Sequence, residues 1–115
     1  MALSSELKVY KDSYDLLLHL YQISVNFNKD FKYSLGEKIK NEVLEILINI
    51  YQANSDFSER KNNLKLAQDR IEKIIIYIRI LKDLKQINLK KFIFFNEKIE
   101  IINRQLISWK KKSQI

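Results

Sequence analysis

Tyr33-Ser34-Leu35-Gly36-Glu37-Lys38-Ile39-Lys40-Asn41-Glu42-Val43-Leu44-Glu45-Ile46-Leu47-Ile48-Asn49-Ile50-Tyr51-Gln52-Ala53-Asn54 is the stretch on which the fold turns. Leu35, Ile39, Val43, Ile46 and Ile50 recur at spacings of three and four, so they share one face of a helix. Ser34 and Glu37 stand in the S-x-x-E order of a capping box. In that motif the Ser34 hydroxyl accepts from the Glu37 N–H, and the Glu37 carboxylate reaches back to the N–H of Ser34. Gly36, the only glycine in the chain, falls in the first turn. Glycine inside a helix costs up to about 1 kcal/mol against alanine. A close approach by another backbone, with no room for a side chain, would account for it.

Working outward, a first helix is expected over about 5–27, with Leu7, Tyr10, Tyr14, Leu17, Leu18, Tyr21 and Val25 inward. The polar run 26–32 breaks it, and Phe27 and Phe31 cover the core there. The second helix is the opening stretch, 34–54. Asn54-Ser55-Asp56 reads as a turn, with Asp56 or Ser58 capping a third helix over 58–86. Its inner face is Leu64, Ala67, Ile71, Ile74, Ile75 and Ile78. Asn88 caps a fourth helix over 88–110, where Phe92, Phe95, Ile99, Ile102, Leu106 and Trp109 form a bundle seam. Four helices with short connections give an all-α, antiparallel up-down-up-down four-helix bundle, one domain over 1–115.

Composition agrees. With no proline and one glycine, the chain lacks the turn residues that a sheet protein of 115 residues needs. The absence of cysteine excludes disulfides and thiolate metal sites. The N-terminus does not read as a signal peptide, and no stretch approaches the ~20 apolar residues of a membrane span. The expected compartment is the cytoplasm, with no membrane partner.

Each helix carries apolar residues beyond its inner face. These are Leu16, Leu20 and Ile23; Leu44, Ile48 and Tyr51; Leu66, Tyr77, Ile80 and Leu84; and Phe94 with Ile101. A monomer would expose much of this, and large exposed apolar patches mark interfaces. The reading is a homo-oligomer held by these second stripes.

Little in the chain suggests catalysis. His19 is the only histidine, no Glu-x-x-His metal motif occurs, and no glycine loop cradles phosphate. No carboxylate pair stands out for a divalent metal: Glu42/Glu45 and Glu97/Glu100 are i,i+3 pairs on mostly outer faces. No enzyme, no catalytic or metal-binding residue and no cofactor is expected. Charge says more. Residues 1–57 hold six lysines and eight acids, a net of −2, whereas residues 58–115 hold fifteen Lys plus Arg and six acids, a net of +9. A basic half-chain binds polyanions. The candidate contacts are Arg60, Lys61, Lys65, Arg79, Lys90, Lys98 and Arg104, with Lys110, Lys111 and Lys112 at the end of the last helix. Lysines and arginines along helices reach phosphates more readily than base edges, so weak selectivity for RNA or DNA sequence is expected. The aromatics that could stack on bases are mostly committed to the core, with Tyr77 and Phe94 as the exceptions.

Several segments together resemble a known family. They are Tyr14–Leu18, the Phe-Lys-Tyr-Ser-Leu-Gly-Glu-Lys-Ile of Phe31–Ile39, Arg60 with Leu64 and Ala67, Ile78–Leu84, and Ile102–Trp109. Tyr33–Glu37 and the Arg-Gln-Leu-x-x-Trp of Arg104–Trp109 are the most specific. The chain resembles the Avd family, the accessory variability determinants of diversity-generating retroelements. It is similar also to the four-helix proteins encoded in 23S rRNA intervening sequences. That branch carries Asn-Ile-Ala-Glu-Gly after the second helix, where this chain has Asn49-Ile50-Tyr51-Gln52-Ala53, which favours Avd. The resemblance implies a bacterial or phage-encoded protein forming a homopentameric barrel. It implies binding to the element's reverse transcriptase and to nucleic acid during mutagenic retrohoming. The alternatives are an intervening-sequence-type RNA-binding bundle and an oligomeric interaction scaffold without a nucleic-acid role.

Overall fold

The computed structural model describes residues 3–113. A 3-10 turn over Ser4–Glu6 leads into α1 (Lys8–Ser24), followed by the single-turn α2 (Lys29–Lys32), α3 (Leu35–Ser55), α4 (Phe57–Asp83) and α5 (Leu89–Lys112). A 27-residue helix is about 40 Å long, so the four long helices lie along the 46 Å axis of a 46 × 20 × 19 Å body. Contacts run in opposite sequence directions at every seam. Glu42 meets Arg70 and Asn49 meets Asn63 between α3 and α4. Asp12 meets Gln105 and Asp15 meets Lys98 between α1 and α5. Arg60 lies over Trp109, and Lys82 over Phe92, between α4 and α5. Asn54 bonds Ser4, while Lys40 lies over Tyr21, between α3 and the start and end of the α1 segment. Neighbours are therefore antiparallel, in up-down-up-down order. One end of the bundle carries the start of α1, the α3–α4 turn and the end of α5. The other carries α2, the start of α3 and the α4–α5 connection.

The local signals have causes that differ in part from those expected. Asp56 alone separates α3 from α4, and its carboxylate accepts from the Ser58 N–H (3.0 Å) and hydroxyl (2.6 Å). Asn88 caps α5 by accepting from the Lys91 N–H at 2.8 Å. The Ser34 capping box does not form. Ser34 Oγ instead donates to the Asp30 carbonyl at 2.7 Å, because α2 ends at Lys32, two residues before it, and leaves that carbonyl free. Glu37 turns to Lys40. The first helix is also shorter than expected: Leu7 is extended, which detaches the 3-10 turn, and the chain leaves α1 after Ser24.

Ile39, Val43, Ile46, Ile50, Leu64, Ala67, Ile71, Ile74, Ile78, Phe95, Ile99, Ile102 and Leu106 are buried as their spacing requires. For the first helix the expectation holds in part: Leu17 is buried, and Leu7 and Tyr10 pack half-buried against the core. Leu16 and Leu20, expected on an oligomer interface, are 0% and 1% exposed and belong to the core, whereas Tyr14, Leu18, Tyr21 and Val25 face outward. The inward face is completed by Val9, Leu17, Ser13 and Ser24. Both serines satisfy their hydroxyls on carbonyls of their own helix, Val9 and Tyr21 respectively. Serine can thus occupy a core position without an unpaired polar group, and a tyrosine keeps its hydroxyl wet outside. Two smaller corrections concern α4, where Ile75 is exposed and Leu81 is buried. Ile23, Tyr77 and Phe94, expected on the interface, are half-buried against the core. Ile80 is also half-buried. Leu44, Ile48, Tyr51, Leu66, Leu84 and Ile101 are exposed.

Gly36 is buried against α2. A Cβ there would lie 3.3 Å from the Phe31 carbonyl oxygen and 3.4 Å from Phe27 Cδ2, the close backbone approach that the lone glycine suggested.

Candidate nucleic-acid interface

Of the 21 Lys and Arg in the chain, eight lie within 4.0 Å of a carboxylate oxygen: Lys8, Lys40, Lys65, Arg70, Lys73, Arg79, Lys98 and Arg104. The other thirteen (21 − 8) have no such partner among the described residues. An adjacent carboxylate cancels much of a cation's field, and screening by salt removes more. The unpaired lysines are the ones that present positive potential to a polyanion.

This sorts the ten sequence candidates. Lys65 bonds Asp69, Arg79 pairs with Asp83 at 3.4 Å, and Arg104 with Glu100, each one helical turn on. Lys98 crosses from α5 to Asp15 on α1 at 3.0 Å, in a cluster where His19 meets Asp15 at 3.5 Å and packs edge-on against Phe94. Arg60 is spent on structure. Its Nε donates to the Ala53 carbonyl at 2.7 Å, an unsatisfied acceptor in the last turn of α3, and its guanidinium covers the Phe57 and Trp109 rings. Lys61, Lys110, Lys111 and Lys112 gather at the same end of the bundle, unpaired. Lys90 stands at the opposite end, at the start of α5. The ten residues thus fall into one group at one end, four cations paired along the helices and Lys90 alone at the other end, not one continuous strip.

The end that holds Lys90 carries more cation than sequence reasoning assigned to it. The segments 26–38 and 82–91 together contain Lys29, Lys32, Lys38, Lys82, Lys85, Lys90 and Lys91, seven lysines, against Asp30, Glu37 and Asp83. None of the seven has a carboxylate partner. Glu37 and Asp83 are taken by Lys40 and Arg79. Lysines in and beside two helix junctions far apart in sequence look like ordinary solvated residues. Only the antiparallel order, readable from the short connections, brings them to one end.

Elsewhere acids serve the scaffold. Arg70 Nη1 bonds Glu42 at 3.2 Å and Arg70 Nε bonds Asn49 at 3.2 Å, and Asn49 in turn donates to Asn63 at 3.1 Å. Glu42 and Glu45, the possible carboxylate pair, face Arg70 and Lys73. The Asp12 carboxyl is pushed up by partial burial, but hydrogen bonds from Lys8 and Gln105 outweigh that and hold it below the ordinary value. The Ser58 hydroxyl, aided by the Ser58 and Glu59 N–H groups, likewise lowers Asp56. Among the described residues no three His, Asp or Glu are placed to hold a metal ion, and no helix is long and apolar enough to cross a membrane. In comparisons with known proteins, no family model matches the chain and no curated sequence matches it.

Proposed function

We propose that the protein is a non-enzymatic, oligomeric nucleic-acid-binding bundle, working as the accessory protein of a diversity-generating retroelement beside its reverse transcriptase. The observation that carries the nucleic-acid part is the concentration of unpaired lysines at the two ends of the bundle. The reverse transcriptase and the pentameric barrel rest on the resemblance at Tyr33–Glu37 and Arg104–Trp109. Self-association has independent support. Tyr14, Leu18, Tyr21 and Val25 of α1 and Leu44, Ile48 and Tyr51 of α3 are 40–62% exposed, and part of this set lines one groove between the two helices. Exposed apolar residues gathered in this way mark an interface.

The test is a titration of labelled RNA and single-stranded DNA at several salt concentrations. Binding is expected at low salt, with little preference for sequence. It should fall steeply as salt rises, because each phosphate contact releases about 0.7–0.9 of a counterion. No binding at low salt overturns this reading in favour of an interaction scaffold. Co-purification with a reverse transcriptase encoded beside the gene tests the retroelement assignment, and its failure leaves the intervening-sequence type of RNA-binding bundle.

A further inference from the structure

Lys85 has φ = 61°, the only positive φ outside glycine among the described residues. It terminates α4. The Gln86 N–H donates to the Leu81 carbonyl at 2.8 Å and the Lys85 N–H to the Lys82 carbonyl at 2.9 Å. That pair of bonds is a Schellman closure with Lys85 at the left-handed position, where glycine is strongly favoured. A lysine there keeps a strain that glycine would relieve. Sustained strain of this kind points to a use for the side chain.

The next residue ties this connection to the segment before α2. Gln86 Oε1 accepts from the Asn28 N–H at 2.7 Å, and its Nε2 donates to the Leu84 carbonyl at 2.9 Å. The α4–α5 connection is thereby clipped to the residue that starts α2. Lys29 and Lys32 of α2 then share one end of the bundle with Lys82, Lys85, Lys90 and Lys91, all without carboxylate partners. Tyr33, directly after α2, is 65% exposed, with the Lys32 ammonium 5.6 Å from its ring centre. An exposed aromatic among unpaired cations is the arrangement that binds single strands. The cations take phosphates while the ring takes an unstacked base. A duplex has no free base face to offer Tyr33. A bilayer surface is taken by a long amphipathic helix lying flat, and α2 is a single turn.

We propose that this end of the bundle, α2 with Tyr33 and the clipped α4–α5 connection, is a single-stranded nucleic-acid site in which Lys85 contacts phosphate and Tyr33 stacks on a base. It rests on the nucleic-acid reading above and gives that reading a place and a strandedness.

The experiment is a salt-series titration of the full chain with a short labelled oligouridylate, the matching duplex and anionic phosphatidylserine vesicles. It compares wild type, Lys85→Gly, Tyr33→Ser and Lys61→Gln, each with a thermal melt. Lys85→Gly is expected to raise Tm while weakening oligouridylate binding and reducing the salt slope by about 0.7. A lysine with only a structural role would give the rise in Tm alone. Tyr33→Ser is expected to weaken single-strand binding by roughly 5- to 150-fold, the range set by one stacked base, and to leave duplex binding unchanged. Lys61→Gln, at the opposite end, should leave the Tyr33-dependent binding intact. If wild type binds the oligomer but Lys85→Gly and Tyr33→Ser match it in affinity and slope, this site is refuted and the general nucleic-acid reading stands. If wild type binds no nucleic acid, both fall. Vesicle binding that exceeds oligomer binding and is lost in the same two variants overturns the proposal in favour of a lipid surface.

Discussion

Gly36 shows how a single residue carries information about a neighbour. Helix propensity alone makes Gly36→Ala stabilising by up to about 1 kcal/mol. The added Cβ would meet the Phe31 carbonyl at 3.3 Å, tighter than ordinary contact, and that carbonyl belongs to backbone, not to a side chain that can swing away. Gly36→Ala is therefore expected to lower the melting temperature, and Gly36→Val to lower it much further. A stabilised alanine variant would mean that α2 shifts freely. Ser34, two residues earlier, has the right type and spacing for a capping box but not the right surroundings, since its hydroxyl is claimed by Asp30 of α2. The residue pattern was legible, but its partner was not. Arg60 is similar: a cation in the sequence, and in the fold a closing bond on the α3–α4 turn, its guanidinium over the Trp109 ring.

At the scale of the helices, polar side chains set register where aliphatic ones only supply area. The α3–α4 seam is held by Arg70, Glu42, Asn49 and Asn63, of which Asn49 and Asn63 are buried. Arg70→Ala leaves the largely covered Glu42 carboxylate without its guanidinium. It is expected to cost about 1.5–3 kcal/mol in urea unfolding, with Lys73 recovering part of the loss. An unchanged midpoint would show the network to be incidental. Two other element contacts respond to pH. Asp12, joining α1 to α5, and Asp56, capping α4, both have carboxyls lowered from 3.8 in the fold. The folded state therefore holds fewer protons than the unfolded one as acid is added. Their stabilisation is fully present above the unfolded value, and it is lost as pH falls through the lower folded values. Unfolding midpoints should drop below about pH 4, less steeply in an Asp12→Asn, Asp56→Asn double variant. Equal slopes would count against these two carboxylates.

Across the whole molecule, the exposed face of α1 and α3 predicts association. Light scattering should give a mass several times 13.9 kDa, and Tyr14→Glu with Ile48→Glu should bring it down without loss of helix. A monomer in the wild type would refute the interface. Which apolar stripe lies on that face is also where sequence reasoning stopped. The existence of four long helices, their antiparallel order and the cores of α3 and α5 follow from spacing and short connections, because a helix with one dominant apolar stripe has one way to bury it; the cap at Asn88 follows from its residue type, while the choice of Asp56 over Ser58 came only with the fold. Helix α1 has apolar residues around much of its circumference. Its rotation was settled by packing, which buried Leu16 and Leu20 beside the self-satisfied Ser13 and Ser24 and left Tyr14 and Tyr21 wet. The basic half of the chain was likewise visible as a total. Which cations stay unpaired, and which connections share an end, depend on residues far apart in sequence meeting across antiparallel seams. Charge is read by counting, but a field is made by distances, and only the folded chain sets those distances.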